Sequence, residues 1–163
     1  LSCAAMLNLI KYPVLGILIV VAQYMLAGKL DIAGIGPNFL VIFIIYTGLR
    51  SNPLLAVWLG FFLGFLLDAL SSTQLVGLSS LGLSVVGYLA GLFQSRIGRI
   101  PILLQYLIHL GLLLVFFTLT ILVYLQDSQW GVGSMFFLVM LPTTFYTYVL
   151  LIISFAFLRV GSD

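Results

Sequence analysis

Apolar residues run along this chain in long stretches that proline, glycine or a charge interrupts at short intervals, and the interruptions mark out the elements. The pattern predicts six helices, at about 12–30, 37–50, 53–71, 75–95, 101–125 and 134–158. Pro37, Pro53 and Pro101 fall at or near predicted helix starts, where a missing amide proton costs little. The second helix is the weak member. About fourteen residues at about 1.5 Å each reach roughly 21 Å, short of a hydrocarbon core of about 30 Å. Either residues 31–36 extend it or it is a short helix shielded by its neighbours. The two glycines of Asp31-Ile32-Ala33-Gly34-Ile35-Gly36 favour a loop dipping into the outer leaflet. No internal repeat or low-complexity linker divides the chain, so a single polytopic domain over 1–163 is expected.

Composition turns these helices into membrane spans. Of 163 residues, 63% are hydrophobic and 6% charged, whereas soluble domains carry about a quarter charged residues. The expected fold class is an all-α integral membrane protein, a bundle of six transmembrane helices. The run from Lys11 to Ala27 lacks a small-x-small cleavage site before Gly28 and reads as a retained span. Lys11, Arg50, Arg96, Arg99 and Arg159 fall on one side of a six-span layout and Lys29 on the other. Lysine and arginine prefer cytoplasmic loops, so both termini are expected in the cytoplasm, with the chain multi-pass in the cytoplasmic membrane. A five-span layout would split the basic residues. Asp31, Asp127 and the Asp68 end of the third helix then face outward. A net charge of +2 without a basic cluster argues against nucleic acid. Cys3 is the only cysteine, so an internal disulfide is excluded, and no second thiol or histidine stands at metal spacing.

Candidate chemistry is thin. In Gly60-Phe-Phe-Leu-Gly64-Phe-Leu-Leu-Asp68 two glycines and the helix's one carboxylate lie four residues apart, nearly on one helix face, which should meet protein rather than lipid. Asp68 could relay a proton or cation, touch substrate, bond another subunit, or be satisfied locally by Ser71, Ser72 and Thr73. No second acid within the spans supports paired-carboxylate catalysis. Gly87-Tyr88-Leu89-Ala90-Gly91, extended backwards by Ser80 and Ser84, is expected to serve packing inside the bundle. Gln105 and His109 share a face of the fifth helix. They are expected to hydrogen-bond neighbouring helices rather than to shuttle protons or bind metal. Pro142 should bend or loosen the last helix. Tyr12, Tyr24, Trp58, Tyr106, Tyr124, Trp130 and Tyr146 read mostly as interfacial or packing aromatics. A phosphate-binding GxxxxGK[ST], an HExxH and a Gly-x-Ser-x-Gly elbow are all absent, so no enzyme, cofactor or metal is expected.

An ordered series is left over: Pro37-Asn38-Phe39, then Arg50 and Pro53, then Gly60-Phe61 with Gly64 and Asp68, then Gly77, and finally Gly87-Tyr88 with Gly91. This series resembles MreD, the family of bacterial rod shape-determining membrane proteins. The resemblance rests on residues 37–91, with length, hydropathy and the proline of the last helix also fitting. Asn38 stands where the family pattern takes Asp or Asn, so no second buried carboxylate is present there. Gly77 follows the acidic helix after a loop slightly longer than the pattern. The resemblance implies a non-enzymatic adaptor of the cell-elongation (rod) complex that binds MreC and supports lateral peptidoglycan synthesis and rod cell shape. Through MreC it implies the wider partners RodA, a class B penicillin-binding transpeptidase and MreB. It further implies a bundle similar to the substrate-binding subunits of energy-coupling-factor vitamin transporters. The alternative function is such a subunit itself, capturing a vitamin-sized molecule. The short second helix and the glycine-rich loop before it favour that alternative. The meagre polar supply of Asp68, Asn38 and Gln74 opposes it.

Overall fold

The computed structural model describes residues 3–30, 36–70, 77–127, 137 and 140–160. Among these residues the chain forms six α-helices and no strand: α1 (Cys3–Leu30), α2 (Phe39–Arg50), α3 (Pro53–Leu70), α4 (Leu78–Phe93), α5 (Ile102–Asp127) and α6 (Leu141–Val160). A 3-10 turn, Ile97–Arg99, joins α4 to α5. Two starts differ from the hydropathy reading. Helix α1 begins well before Lys11 and carries Pro13 inside it, because a lysine ends an apolar run without ending a helix. Helix α6 begins at Leu141, so Pro142 sits in its first turn, where no intrahelical amide bond is lost. From the sequence, Pro142 is expected to bend or loosen this helix. The loosening lies just before, where Phe137 and Met140 adopt the wider π-helical backbone.

Helices consecutive in the chain alternate in direction, so α4 packs parallel to α2, and two ends of the bundle can be named by their residues. At the Asp68 end, the last turn of α3 meets the first turn of α4, and the start of α2 meets α1 and α6. At the Arg50 end lie the end of α2, the Ile97–Arg99 turn and the start of α5. Lys11, Arg50, Arg96 and Arg99 are exposed at that end, while Lys29 is exposed at the other.

Helix α2 is the centre. It is apolar on every face, so burial on all sides is its only favourable position. Leu40 to Ile45 and Thr47 to Leu49 are all buried, and α1, α3, α4, α5 and α6 pack around it. The sequence left open whether residues 31–36 extend this helix or its neighbours shield it. Shielding is what is seen. The loop expected at 31–36 lies, apart from Gly36, outside the described residues.

Among the described residues, two helices are long and apolar enough to cross a membrane, Pro53–Leu70 and the Ile102–Ile121 part of α5. The remaining apolar segments are shorter: Lys11–Leu26 within α1, Phe39–Arg50, Leu78–Phe93 and Leu141–Phe155. At 12 residues, α2 rises only about 18 Å.

Candidate functional site

The glycines singled out from their spacing meet along one seam. A Cβ on Gly60 would lie 2.7 Å from the Leu83 carbonyl group, and one on Gly64 would lie 2.6 Å from the Ser80 backbone. From the other side, a Cβ on Gly87 would strike the Ala56 carbonyl at 2.8 Å, and one on Gly91 would collide with Pro53. Backbone therefore lies against backbone along the whole α3–α4 hairpin. Gly48 of α2 enters the same seam, its missing side chain making room for Ala90 and the Gly87 carbonyl. Close approach lets hydroxyls cross. Ser80 Oγ donates to the Phe61 carbonyl at 3.0 Å, and Ser84 Oγ to the carbonyls of Ser80 (2.7 Å) and Val57 (3.5 Å).

Asp68 closes the hairpin. One of its oxygens accepts the amides of Gly77 (2.8 Å) and Ser79 (3.0 Å), so α3 supplies the cap that α4 lacks from its own side chains. The residue is 3% exposed. First-turn amides otherwise have no partner, and a carboxylate at the positive end of a helix is favourable. Gly77 makes the turn possible through φ +104°, a left-handed conformation that a side chain would strain. The local partners expected from the sequence, Ser71, Ser72 and Thr73, lie outside the described residues, as does Gln74.

Pro37 and Asn38 form a second node that the sequence only half disclosed. Asn38 Oδ1 accepts the Val41 amide at 3.1 Å and caps α2. The buried Pro37 carbonyl accepts from Gln23 Nε2 at 2.8 Å, and Gln23 Oε1 accepts the Phe39 amide at 2.8 Å. Thr147 Oγ1 of α6 accepts the Asn38 amide at 3.3 Å. Gln23 thus ties the start of α2 to α1 with both ends of its amide. A lone glutamine in an apolar helix was the one available signal, and its backbone partners leave no trace in the sequence. One turn before Thr147, the Thr144 hydroxyl is buried without a hydrogen-bond partner among the described residues.

Gln105 and His109 bond differently from the expectation. Gln105 Nε2 donates to the Ile97 and Ile100 carbonyls, just ahead of its own helix, at 2.8 and 3.1 Å. His109 Nδ1 meets the Gln105 carbonyl at 2.6 Å. Among the described residues neither reaches a neighbouring helix by hydrogen bond; the His109 ring meets Phe155 of α6 edge to face at 4.6 Å. Among the described residues no three His, Cys, Asp or Glu side chains gather in a metal-binding group.

Besides the exposed Arg50, two aromatic residues of the ordered series turn outward. Phe61 is 47% exposed and Tyr88 55%. The bonds from Ser80 to Phe61 and from Ser84 to Val57 put the Ser84–Tyr88 stripe of α4 beside the Val57–Phe61 stripe of α3. Both aromatics therefore belong to one outward face of the hairpin.

A family model described as "MreD: rod shape-determining protein MreD" matches residues 5–160. No curated protein matches, and no solved structure matches. The likeness to energy-coupling-factor subunits consequently has no support from a known fold.

Proposed function

The chain belongs to the MreD family of rod shape-determining proteins, and from that premise we propose that it is a non-enzymatic membrane adaptor of the rod complex. In this reading it binds MreC and so supports lateral peptidoglycan synthesis, with RodA, a class B penicillin-binding transpeptidase and MreB as the wider partners. The chain forms one six-span domain with both termini in the cytoplasm. The exposed lysine and arginines of the Arg50 end then face the cytoplasm, in keeping with the preference of basic residues for that side. Helices of 12 to 16 residues fit such a layout when neighbours cover them or the bilayer thins around them.

The family match over nearly the whole chain carries this reading. The use of the polar groups supports it. Asp68, Asn38 and Gln23 are bound to backbone amides and carbonyls, which leaves little to fix a vitamin-sized ligand. Phe61 and Tyr88 offer the surface for a partner helix, since the bundle does not need their rings. The test is complementation. Cells depleted of their own MreD should regain rod shape when they express this chain. Persistently round cells with the chain present at normal membrane level would overturn the adaptor role.

A further inference from the structure

A cavity of about 360 Å³ opens at the Arg50 end between the end of α2, the Ile97–Arg99 turn, the first turns of α5 and Phe155 of α6. Neither the glycine seam nor the helix caps use it. Its charge is set by Arg50, whose guanidinium lies 5.8 Å from the centre of the Tyr46 ring and has no carboxylate partner among the described residues. The start of α5 and the end of α2 both face the cavity with opposite dipole ends, so the guanidinium decides the sign.

His109 also lines the cavity. It is 4% exposed, and its Nε2 is buried without a hydrogen-bond partner among the described residues. The carbonyl of Gln105 can only accept, so Nδ1 carries the proton and Nε2 of the neutral ring is an acceptor lacking a donor. Gln105 cannot supply one, since its amide nitrogen is held by Ile97 and Ile100. An acceptor left this way is costly, and a ligand donor would relieve it.

Alongside runs a second space, an apolar groove of about 520 Å³ over α1 and α2, lined by Leu15, Ile19, Leu26, Ile42 and Phe43, with Lys11 at its Arg50 end. Phe155 is a wall of both spaces, and its ring meets His109 on one side and Tyr46, at 5.7 Å, on the other.

A fixed cation, an acceptor in need of a hydroxyl, and an apolar channel next to them define one class of ligand. We infer that this end binds an anionic phospholipid whose headgroup bears a free hydroxyl, of the phosphatidylglycerol kind. The phosphate sits against Arg50, the headgroup hydroxyl donates to His109 Nε2, and an acyl chain lies in the groove along α1 and α2. A headgroup ammonium could also donate, but it would stand beside Arg50 and Lys11, where like charge disfavours it. This site is independent of the partner reading, because it involves neither Phe61 nor Tyr88.

The experiment is native mass spectrometry of the purified chain in micelles containing equal amounts of competing lipids. Phosphatidylmethanol has the same charge as phosphatidylglycerol but no headgroup hydroxyl. The chain should retain one phosphatidylglycerol in preference to both phosphatidylethanolamine and phosphatidylmethanol. Arg50→Gln should lower its retention about tenfold, as expected for a charge-assisted contact, while Arg99→Gln, outside the cavity lining, should leave it unchanged. His109→Phe keeps the ring against Phe155 and should make phosphatidylglycerol and phosphatidylmethanol bind equally. Gly98 lines the cavity with open space at its Cβ position, so Gly98→Phe should block the lipid with Arg50 and His109 intact. Equal retention of phosphatidylglycerol and phosphatidylethanolamine by the unaltered chain would overturn the inference. So would equal losses in Arg50→Gln and Arg99→Gln, which would indicate diffuse charge. Displacement of the lipid by millimolar glycerol 3-phosphate would assign the site to a soluble ligand and overturn it as well.

Discussion

Asp68 is a structural acceptor in this fold, and its two backbone partners set what substitution should do. Asp68→Asn keeps an oxygen able to accept both amides at nearly the same shape, though without the gain from charge. Asp68→Leu leaves the Gly77 and Ser79 amides unpaired at about 1–3 kcal/mol each. Thermal melting in detergent should therefore rank the variants wild type, then Asn, then Leu, with the Leu variant lowest by a wide margin. An Asn variant as unstable as Leu would show that the charge itself is required. Gly77 offers a sharper case. Its φ of +104° means that Gly77→Ala should destabilise by about 1–2 kcal/mol even though a Cβ there would meet nothing within 4 Å. Melting temperatures for Gly77→Ala beside Gly98→Ala, an equally uncrowded glycine without positive φ, would separate backbone strain from crowding.

Among the elements, the α3–α4 hairpin and α2 hold the bundle in different ways. In the hairpin, backbone atoms oppose the glycines and cannot turn aside. Gly64→Leu should thus cost at least about 1–3 kcal/mol and lower the melting temperature by several degrees, whereas Phe62→Leu on the exposed face should be nearly silent. Equal tolerance at both positions would mean that the hairpin can part without loss. Helix α2 is held by burial on all sides, and hydrogen bonds fix its start. Gln23→Leu would free the Pro37 carbonyl and the Phe39 amide and should destabilise by about as much as Asp68→Leu. The sequence disclosed the hairpin better than α2 for a physical reason. Glycines four apart with an acid on the same face carry a direction, while a uniformly apolar helix has no face to read, so shielding of α2 by its neighbours stood as only one of two alternatives. Asp68, Gln23 and Gln105 each bond to backbone groups, which no side-chain pattern records. For that reason the expected bonds of Gln105 and His109 to neighbouring helices were wrong, although the helix that carries them was legible.

At the scale of the whole molecule, the apolar runs and their proline and glycine breaks were enough to give six helices, and the basic residues were enough to suggest which end is which. Reporter fusions after Arg50, Gln74, Gly98, Gln129 and Asp163 should alternate between cytoplasm and exterior, with Arg50, Gly98 and Asp163 inside; an exterior Asp163 would contradict the six-span layout. The central claim is that the hairpin's inner seam serves the bundle and its outward face serves a partner. The most direct measurement is the amount of MreC that co-purifies in mild detergent with the unaltered chain and with a Phe61→Ala, Tyr88→Ala double variant. Both rings are exposed, so the variant should melt like the parent. It should nevertheless lose most of its MreC, by about tenfold or more for two exposed aromatic anchors. Undiminished MreC on a variant of normal stability and abundance would contradict the claim.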